Sequence, residues 1–301
     1  MPGATGNIEL ITRYSPEILD EIFAQEAVTT VLEGNNALLR FVNAKTVMIP
    51  EYVIDGLGDY SRKDGFPDGD IDLTWTPYTL TKDRGRGFSI DAMDDEESAG
   101  LAFGRLQSEF TRTRVVPEVD AYRLSTLFAN AISENVVTKK IAANTIIKEW
   151  NEAIKVFQDN EVPIQDMILF VSTEVDMLIK NTTELQRQIT QTDYKSEQGI
   201  TFKVRMYEDI PIIVVPKARF KTAYTFGANG FEPLVDALDM NYMFVYKNAA
   251  LPVKKHEKIR VFAPDTYQKK DAWLFQYRLY HDIFTPKNKK LGIFVSVAPA
   301  V

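Results

Sequence analysis

This sequence predicts an α+β chain with a protruding hairpin and an inserted α/β unit, and three observations carry that reading. Two strand-like runs, "KTVMIPEYV" and "IDLTWTPYTL", flank a glycine-punctuated tract without apolar period. A long amphipathic helix follows the acids at residues 91–97. From about residue 144 helix and strand alternate, and the last third returns to β. A chain of 301 residues can bury one large core or two modest ones.

Composition excludes several function classes. Apolar content of 45% and charged content of 26% are those of an ordinary globular protein. A formal charge of −7 argues against a dedicated nucleic-acid binder, which needs clustered Lys and Arg. It suits a protein that sits near nucleic acid without sticking to it. With no cysteine, disulfides, thiolate nucleophiles and Cys-ligated metals are excluded. The two histidines, His256 and His281, leave little material for a catalytic imidazole or a zinc site. "MPGATGNIELITRYS" lacks a basic region followed by an apolar one, so no signal peptide is expected. No apolar run is long enough to span a bilayer. The expectation is a soluble, cytoplasmic chain.

Each element has its own signal. Residues 1–14 read as an arm. "SPEILDEIF" starts a helix, with Ser15 as N-cap, Pro16 in its first turn, and Ile18, Leu19, Ile22 and Phe23 on one face. The two strands that follow are rich in β-branched and aromatic residues. At ~3.3 Å per residue, strands of about ten residues reach roughly 33 Å, too far to fold back on one small core. Such an arm needs a neighbour. "KDRGRG" reads as a turn and "FSID" as a short strand. The acids Asp91, Asp94, Asp95, Glu96 and Glu97 then open a helix, where its dipole favours them. Ala99, Ala102, Phe103, Leu106 and Phe110 give that helix an apolar stripe. Pro117 either opens a second helix, with Val119, Tyr122, Leu127 and Phe128 inward, or kinks the long one.

"NTIIKEWNEAIKVF" is amphipathic, "DMILFVS" a buried strand, and "STEVDMLIKN" a helix with Thr173 as its cap. "ITFKVRMY", "IPIIVVP" and "YMFVYK" add strands. "KIRVFAP", "WLFQYRLYHDIF" and "KLGIFVSVAP" close the chain, and strands this late can pair with the early ones.

Candidate chemistry is thin. The acid cluster could bind a hard cation, but no motif spacing supports this over a helix start. Asp68, Asp70 and Asp72 resemble the opening of a calcium loop without its glycine at the sixth position or its glutamate at the twelfth. "DRGRG" lacks the third glycine of a dinucleotide site. Adjacent strand residues point to opposite faces, so His281–Asp282 is no catalytic dyad. "KKHEK" and "KNKK" read as solvated strand ends. No catalytic, cofactor-binding or metal residue is assigned, and the chain is expected not to be an enzyme. Arg84 and Arg86 are candidates to pair with a neighbour's carboxylates.

The segment "YTLTKDRGRGFSIDAMDDEESAGLAFGRLQSEFTRTRVVPEVDAYRLS", residues 78–125, resembles the join between extended loop and spine helix in major capsid proteins of tailed bacteriophages, the Hong Kong 97-type fold. The order of parts is compatible from about residue 15 to the end. The resemblance implies an N-terminal arm (1–45), an extended hairpin or E-loop (46–92, its hairpin at 47–80), and a spine helix (94–114) within the first part of a peripheral domain (93–143). It further implies an inserted axial domain (144–250) and returning peripheral strands (251–301). A long scaffolding segment ahead of the arm is not expected, a departure from one family pattern that a processed form, a separate scaffold or assembly without one would each explain, and nothing marks the partners of the isopeptide crosslink of some members.

Implied with it are hexamers and pentamers of this chain closing into an icosahedral shell around double-stranded DNA, without sequence-specific binding, membrane or cofactor. Portal, scaffolding and decoration proteins would be further partners. The location would be the virion, assembled in the host cytoplasm. Asp59, Tyr60, Arg62, Lys63 and Asp64 at the hairpin tip, with Arg84 and Arg86, would touch neighbouring subunits. A same-fold nanocompartment shell, a hydrolase using a pair such as Asp91 and Asp94, and a tail or baseplate protein remain as alternatives.

Overall fold

The structure, a computed structural model, describes residues 26–34, 39–43, 45–63, 65–66, 68–69, 71–93, 108–181, 189–195 and 201–300. The helix expected at 15–23, four of the five clustered acids and most of the helix expected at 94–114 lie outside them. In chain order, β1 (Arg40–Phe41), β2 (Thr46–Ile54), β3 (Ile71–Thr79) and β4 (Lys82–Asp91) precede α1 (Val116–Asn130). Next come β5 (Val136–Thr138), α2 (Ile146–Asp159), β6 (Met167–Ser172), α3 (Thr173–Asn181), β7 (Ile189–Lys195), β8 (Thr201–Tyr207) and β9 (Ile210–Val215). The rest are β10 (Tyr224–Gly227), β11 (Gly230–Pro233), β12 (Met240–Tyr246), β13 (Leu251–Phe262), β14 (Ala272–Phe284) and β15 (Ile293–Val297).

Alternation makes β6, β12 and β15 the middle of a seven-stranded sheet, ordered β5-β15-β12-β6-β9-β8-β7. Leu169, Val171, Tyr242 and Phe244 face Trp150, Ile154 and Phe157 of α2 and Val175 and Ile179 of α3. The intervening Ile168, Phe170, Met243, Val245, Ile293 and Val295 face Leu124 and Leu127 of α1. Both faces are therefore covered by helices, so the central strands read as near-continuous apolar runs.

α1 serves two sheets. Its N-terminal turns bury Val116 and Val119 against Phe275, Tyr277 and Leu279 in a three-stranded sheet ordered β13-β14-β4. Just before it, residues 111–115 form a π-helical turn, in which the Val116 amide reaches back to the Thr111 carbonyl. Pro117 brings no amide proton, so the ladder changes register where it would otherwise miss a bond. The helix thus runs through the proline.

Three local expectations are corrected. Residues 82–87 are strand instead of turn: Lys82 to Asp91 pairs continuously with β14, from Lys82↔His281 to Asp91↔Ala272. Gly85 answers a close approach, since a Cβ there would lie 2.9 Å from the Tyr277 carbonyl oxygen. "KKHEK" is not a strand end but the interior of β13, beside an irregularity between Lys254 and His256. Ser172, one residue ahead of Thr173, caps α3, its Oγ accepting the Val175 amide at 3.3 Å.

The hairpin is the third sheet, ordered β1-β2-β3, with Thr46↔Thr79 at its base and Ile54↔Ile71 at its far end. Val47, Ile49 and Leu80 are buried at the root against Val253, Tyr280 and Phe284. Past Glu51 this packing stops, and Tyr52, Ile54, Leu73 and Trp75 are exposed. β15 joins the seven-stranded sheet while β13 and β14 pair with β4, so the residues after 250 serve two sheets. No helix among the described residues is long and apolar enough to cross a membrane.

Candidate assembly interface

The hairpin is fixed at its root by a buried carboxylate. Asp282 Oδ2 accepts the Thr81 amide at 2.7 Å and its hydroxyl at 3.0 Å, while Oδ1 accepts the Tyr122 hydroxyl at 2.6 Å. One side chain of β14 thereby ties α1 to the chain leaving β3. Burial, and then the hydrogen bond to Asp282, pushes the Tyr122 phenol well above its usual range. The Tyr280 hydroxyl donates to the Leu80 carbonyl at 3.1 Å, and the Leu80 amide to the Lys45 carbonyl at 2.8 Å. These bonds tie both strands of the hairpin base to the body.

Among the described residues the tip makes local contacts. Ser61 and Gly65 exchange backbone hydrogen bonds of 3.1 and 2.8 Å, closing a small loop, and Gly65 takes φ +88°, which suits glycine. Tyr60 and Phe66 meet across it with ring centroids 5.0 Å apart. Apolar exposure is unusually high: Leu57 at 108%, Phe66 at 85% and Tyr60 at 60%. Asp59, Arg62 and Lys63 are exposed beside them; Asp64 lies outside the described residues.

Arg84 and Arg86 sit apart from this tip and hold partners within the chain. Arg84 Nε donates to Glu118 Oε1 at 2.5 Å and its Nη2 to the Gly227 carbonyl at 2.8 Å. Arg86 Nη1 donates to the Ala228 carbonyl at 2.7 Å. The two arginines thus pin the turn between β10 and β11 over a groove of about 660 Å³ between β4, β14 and the start of α1. Arg114, Phe88, Phe110 and His281 also line it. Lys82 lies 4.3 Å from the Phe226 ring centre and 5.0 Å from that of Tyr122.

His281 is buried, and its Nδ1 has no hydrogen-bond partner among the described residues. Burial first, then the charges of Arg123, Lys254, Lys82 and Arg84, lower its pKa to about 3. It is therefore neutral at neutral pH. Asp91 ends β4 and accepts the Met93 amide at 3.1 Å, the local contact of a turn into a helix. Asp68 and Asp72 are exposed on the hairpin, and Asp70 lies outside the described residues. No group of three acidic or histidine side chains able to hold a metal converges among the described residues.

A second buried anchor escaped the sequence reading. Asp120, fully buried, accepts the Thr29 amide at 3.1 Å, the Thr29 hydroxyl at 2.7 Å, the Val28 amide at 3.2 Å and an Arg219 guanidinium at 3.2 Å. Arg123, one turn on and equally buried, reaches Glu33 at 2.9 Å. Residues 27–33 are docked onto α1 in this way. The signal was present: Val116, Val119, Asp120 and Arg123 share one helical stripe, so two charges stand where the period demands apolar residues.

No protein-family model matches this chain, and no curated protein does. Solved structures do. A structure from Mycobacterium phage Che8 aligns with TM-score 0.55 at 13% identity, covering 91% of this chain and 90% of that one. The head structure of Helicobacter pylori bacteriophage KHP40 aligns with TM-score 0.58 at 10% identity, covering 91% and 90%. The capsid structure of Cyanophage P-SCSP1u aligns with TM-score 0.57 at 11% identity, covering 87% and 85%. The chain has the Hong Kong 97-type fold. At these identities what is shared is the arrangement of elements: in this chain a hairpin, a helix between two sheets, and a mixed sheet between helix layers.

Proposed function

We propose that this chain is a shell subunit, a major capsid protein whose copies assemble into hexamers and pentamers of a closed icosahedral particle enclosing double-stranded DNA. One observation carries this reading. The hairpin is anchored at its root by buried residues and by Asp282, and then extends with Tyr52, Ile54, Leu57, Phe66 and Trp75 in solvent. A monomer gains nothing from exposing such a set on a stiff arm, whereas a neighbouring copy would cover it. Contacts of this kind are heterologous, and each needs more than ~1,000 Å² of buried area to be specific.

Residues 46–92 act as the extended loop and residues 144–250 as the core of the axial domain, with the sheet of β4, β13 and β14 in the peripheral domain. Asp59, Tyr60, Arg62 and Lys63 meet the neighbour. The net charge of −7 keeps the inner wall from gripping packaged DNA. Negative-stain microscopy of the purified full-length chain, with light scattering for mass, tests this. Closed particles of uniform diameter are expected. A monomer at high concentration under all assembly conditions contradicts it, open tubes or rings point to a tail protein, and particles filled with protein in place of nucleic acid indicate a nanocompartment.

A further inference from the structure

We propose that Asn229 is a self-modifying site: its side-chain amide is lost through a cyclic imide with the Gly230 nitrogen, and the resulting carboxylate pairs with Arg86. Asn229 is the one asparagine of the chain that precedes a glycine. Ring closure brings the backbone nitrogen of the following residue onto the asparagine Cγ, and a Cβ on that residue obstructs the approach. Gly230 has none, takes φ +120°, and has nothing within 4 Å of where a Cβ would stand. Asn229 itself is exposed, and no side-chain hydrogen bond among the described residues restrains it. The pair sits where β10 turns into β11, two four-residue strands that form a sheet of their own. An isolated two-stranded ribbon is marginal and opens locally, which frees the Gly230 amide to react.

The surroundings favour the reaction. Arg84, Arg86 and Arg114 line one groove with Asn229. Glu118 pairs with Arg84, whereas no carboxylate among the described residues pairs with Arg86 or Arg114. Cations placed so ease loss of the Gly230 amide proton and stabilise the negative oxygen of the tetrahedral intermediate. The nitrogen bonds to Cγ, the Cγ–Nδ2 bond breaks, and ammonia leaves carrying the amide proton. Water then opens the imide at either carbonyl, giving aspartate or isoaspartate, with nothing oxidised or reduced. Arg84 Nη2 and Arg86 Nη1 already hold the Gly227 and Ala228 carbonyls at 2.8 and 2.7 Å, so the new charge arises beside an anchored peptide. Arg86 gains a counter-ion, and the turn is tied to β4 by an ion pair that the newly made chain lacks. The chemistry is independent of the shell reading; its use rests on it, since an irreversible change stiffens the join between these elements as a particle ages.

Ageing the purified full-length chain at mildly alkaline pH, followed by digestion and mass spectrometry, tests this. The peptide carrying Asn229 is expected to gain one mass unit several-fold faster than peptides carrying the other asparagines, and faster still as pH rises. Fragmentation of that peptide should place the gain at residue 229. Arg86→Gln is expected to slow the gain several-fold. Asn229→Asp supplies the carboxylate at once, so it should raise the subunit's melting temperature at low salt, and Arg86→Gln should abolish that rise. A gain at residue 229 no faster than elsewhere overturns the proposal. So does a gain that Arg86→Gln leaves alone or speeds, or a melting temperature that Asn229→Asp leaves alone or lowers. None of these measurements requires assembly, so a chain that never forms particles ends the shell reading without touching this one.

Discussion

Asp120 and Arg123 show how single charges hold the fold together. Both lie on the stripe of α1 that faces the core, and both bond residues 28–33, Asp120 bonding Arg219 as well. Truncating one partner of such a pair leaves the other buried and uncompensated, which costs on the order of 3–5 kcal/mol. Asp120→Ala is therefore expected to lower the denaturant midpoint of the isolated subunit sharply, while a tip variant such as Asp59→Ala leaves it unchanged. His281 adds a pH dependence. Its folded pKa of about 3 lies below the ordinary histidine value of ~6.5, so the unfolded chain binds the proton more readily between these values. Stability from this group is complete above about pH 6.5 and is lost as pH falls toward 3, by on the order of a few kcal/mol. His281→Phe should flatten the acid limb of the stability curve; an unchanged limb would mean that other groups set it.

At the scale of elements the hairpin is the part built for something else. β2 and β3 each carry a proline, Pro50 opposite Trp75 and Pro77 opposite Met48. A ladder accepts proline only where its nitrogen faces away from the partner strand, so both outer edges of the hairpin lack a donor there. Strand-to-strand addition is blunted, and the faces with their exposed rings are left to make contact. Removing residues 55–70 and closing the strands with a two-residue turn is expected to leave a folded, monodisperse subunit that assembles poorly. Normal particle yield from that variant would deny the arm its role. The strands flanking the tip were legible because β-branched and aromatic residues alternate along them. β4 was misread because Gly85 and Gly87 on its outer face looked like a turn, while its inner face opens with Lys82, Arg84 and Arg86 before Phe88 and Ile90. Long cationic stems reaching over α1 and the β10–β11 turn do the work that apolar residues do elsewhere, and no apolar count detects that. The pairing of β15 with β12 and β5 was illegible for another reason: register across such separations is set by tertiary packing, which local pattern does not encode.

For the molecule as a whole, the account turns on where the exposed surface of the arm goes. The two sheets and the helix between them form a body whose cores are closed by their own residues. Among the described residues the arm carries seven large apolar side chains in solvent: Tyr52, Ile54, Leu57, Tyr60, Phe66, Leu73 and Trp75. Hydrogen–deuterium exchange on residues 52–60 and 71–75, compared between dissociated subunits and assembled particles, measures its fate directly. Amides of these segments should exchange markedly more slowly in particles, while those of α2 and β6, already inside the subunit, should not change. Equal exchange of the arm in both states would contradict the claim that another copy covers it.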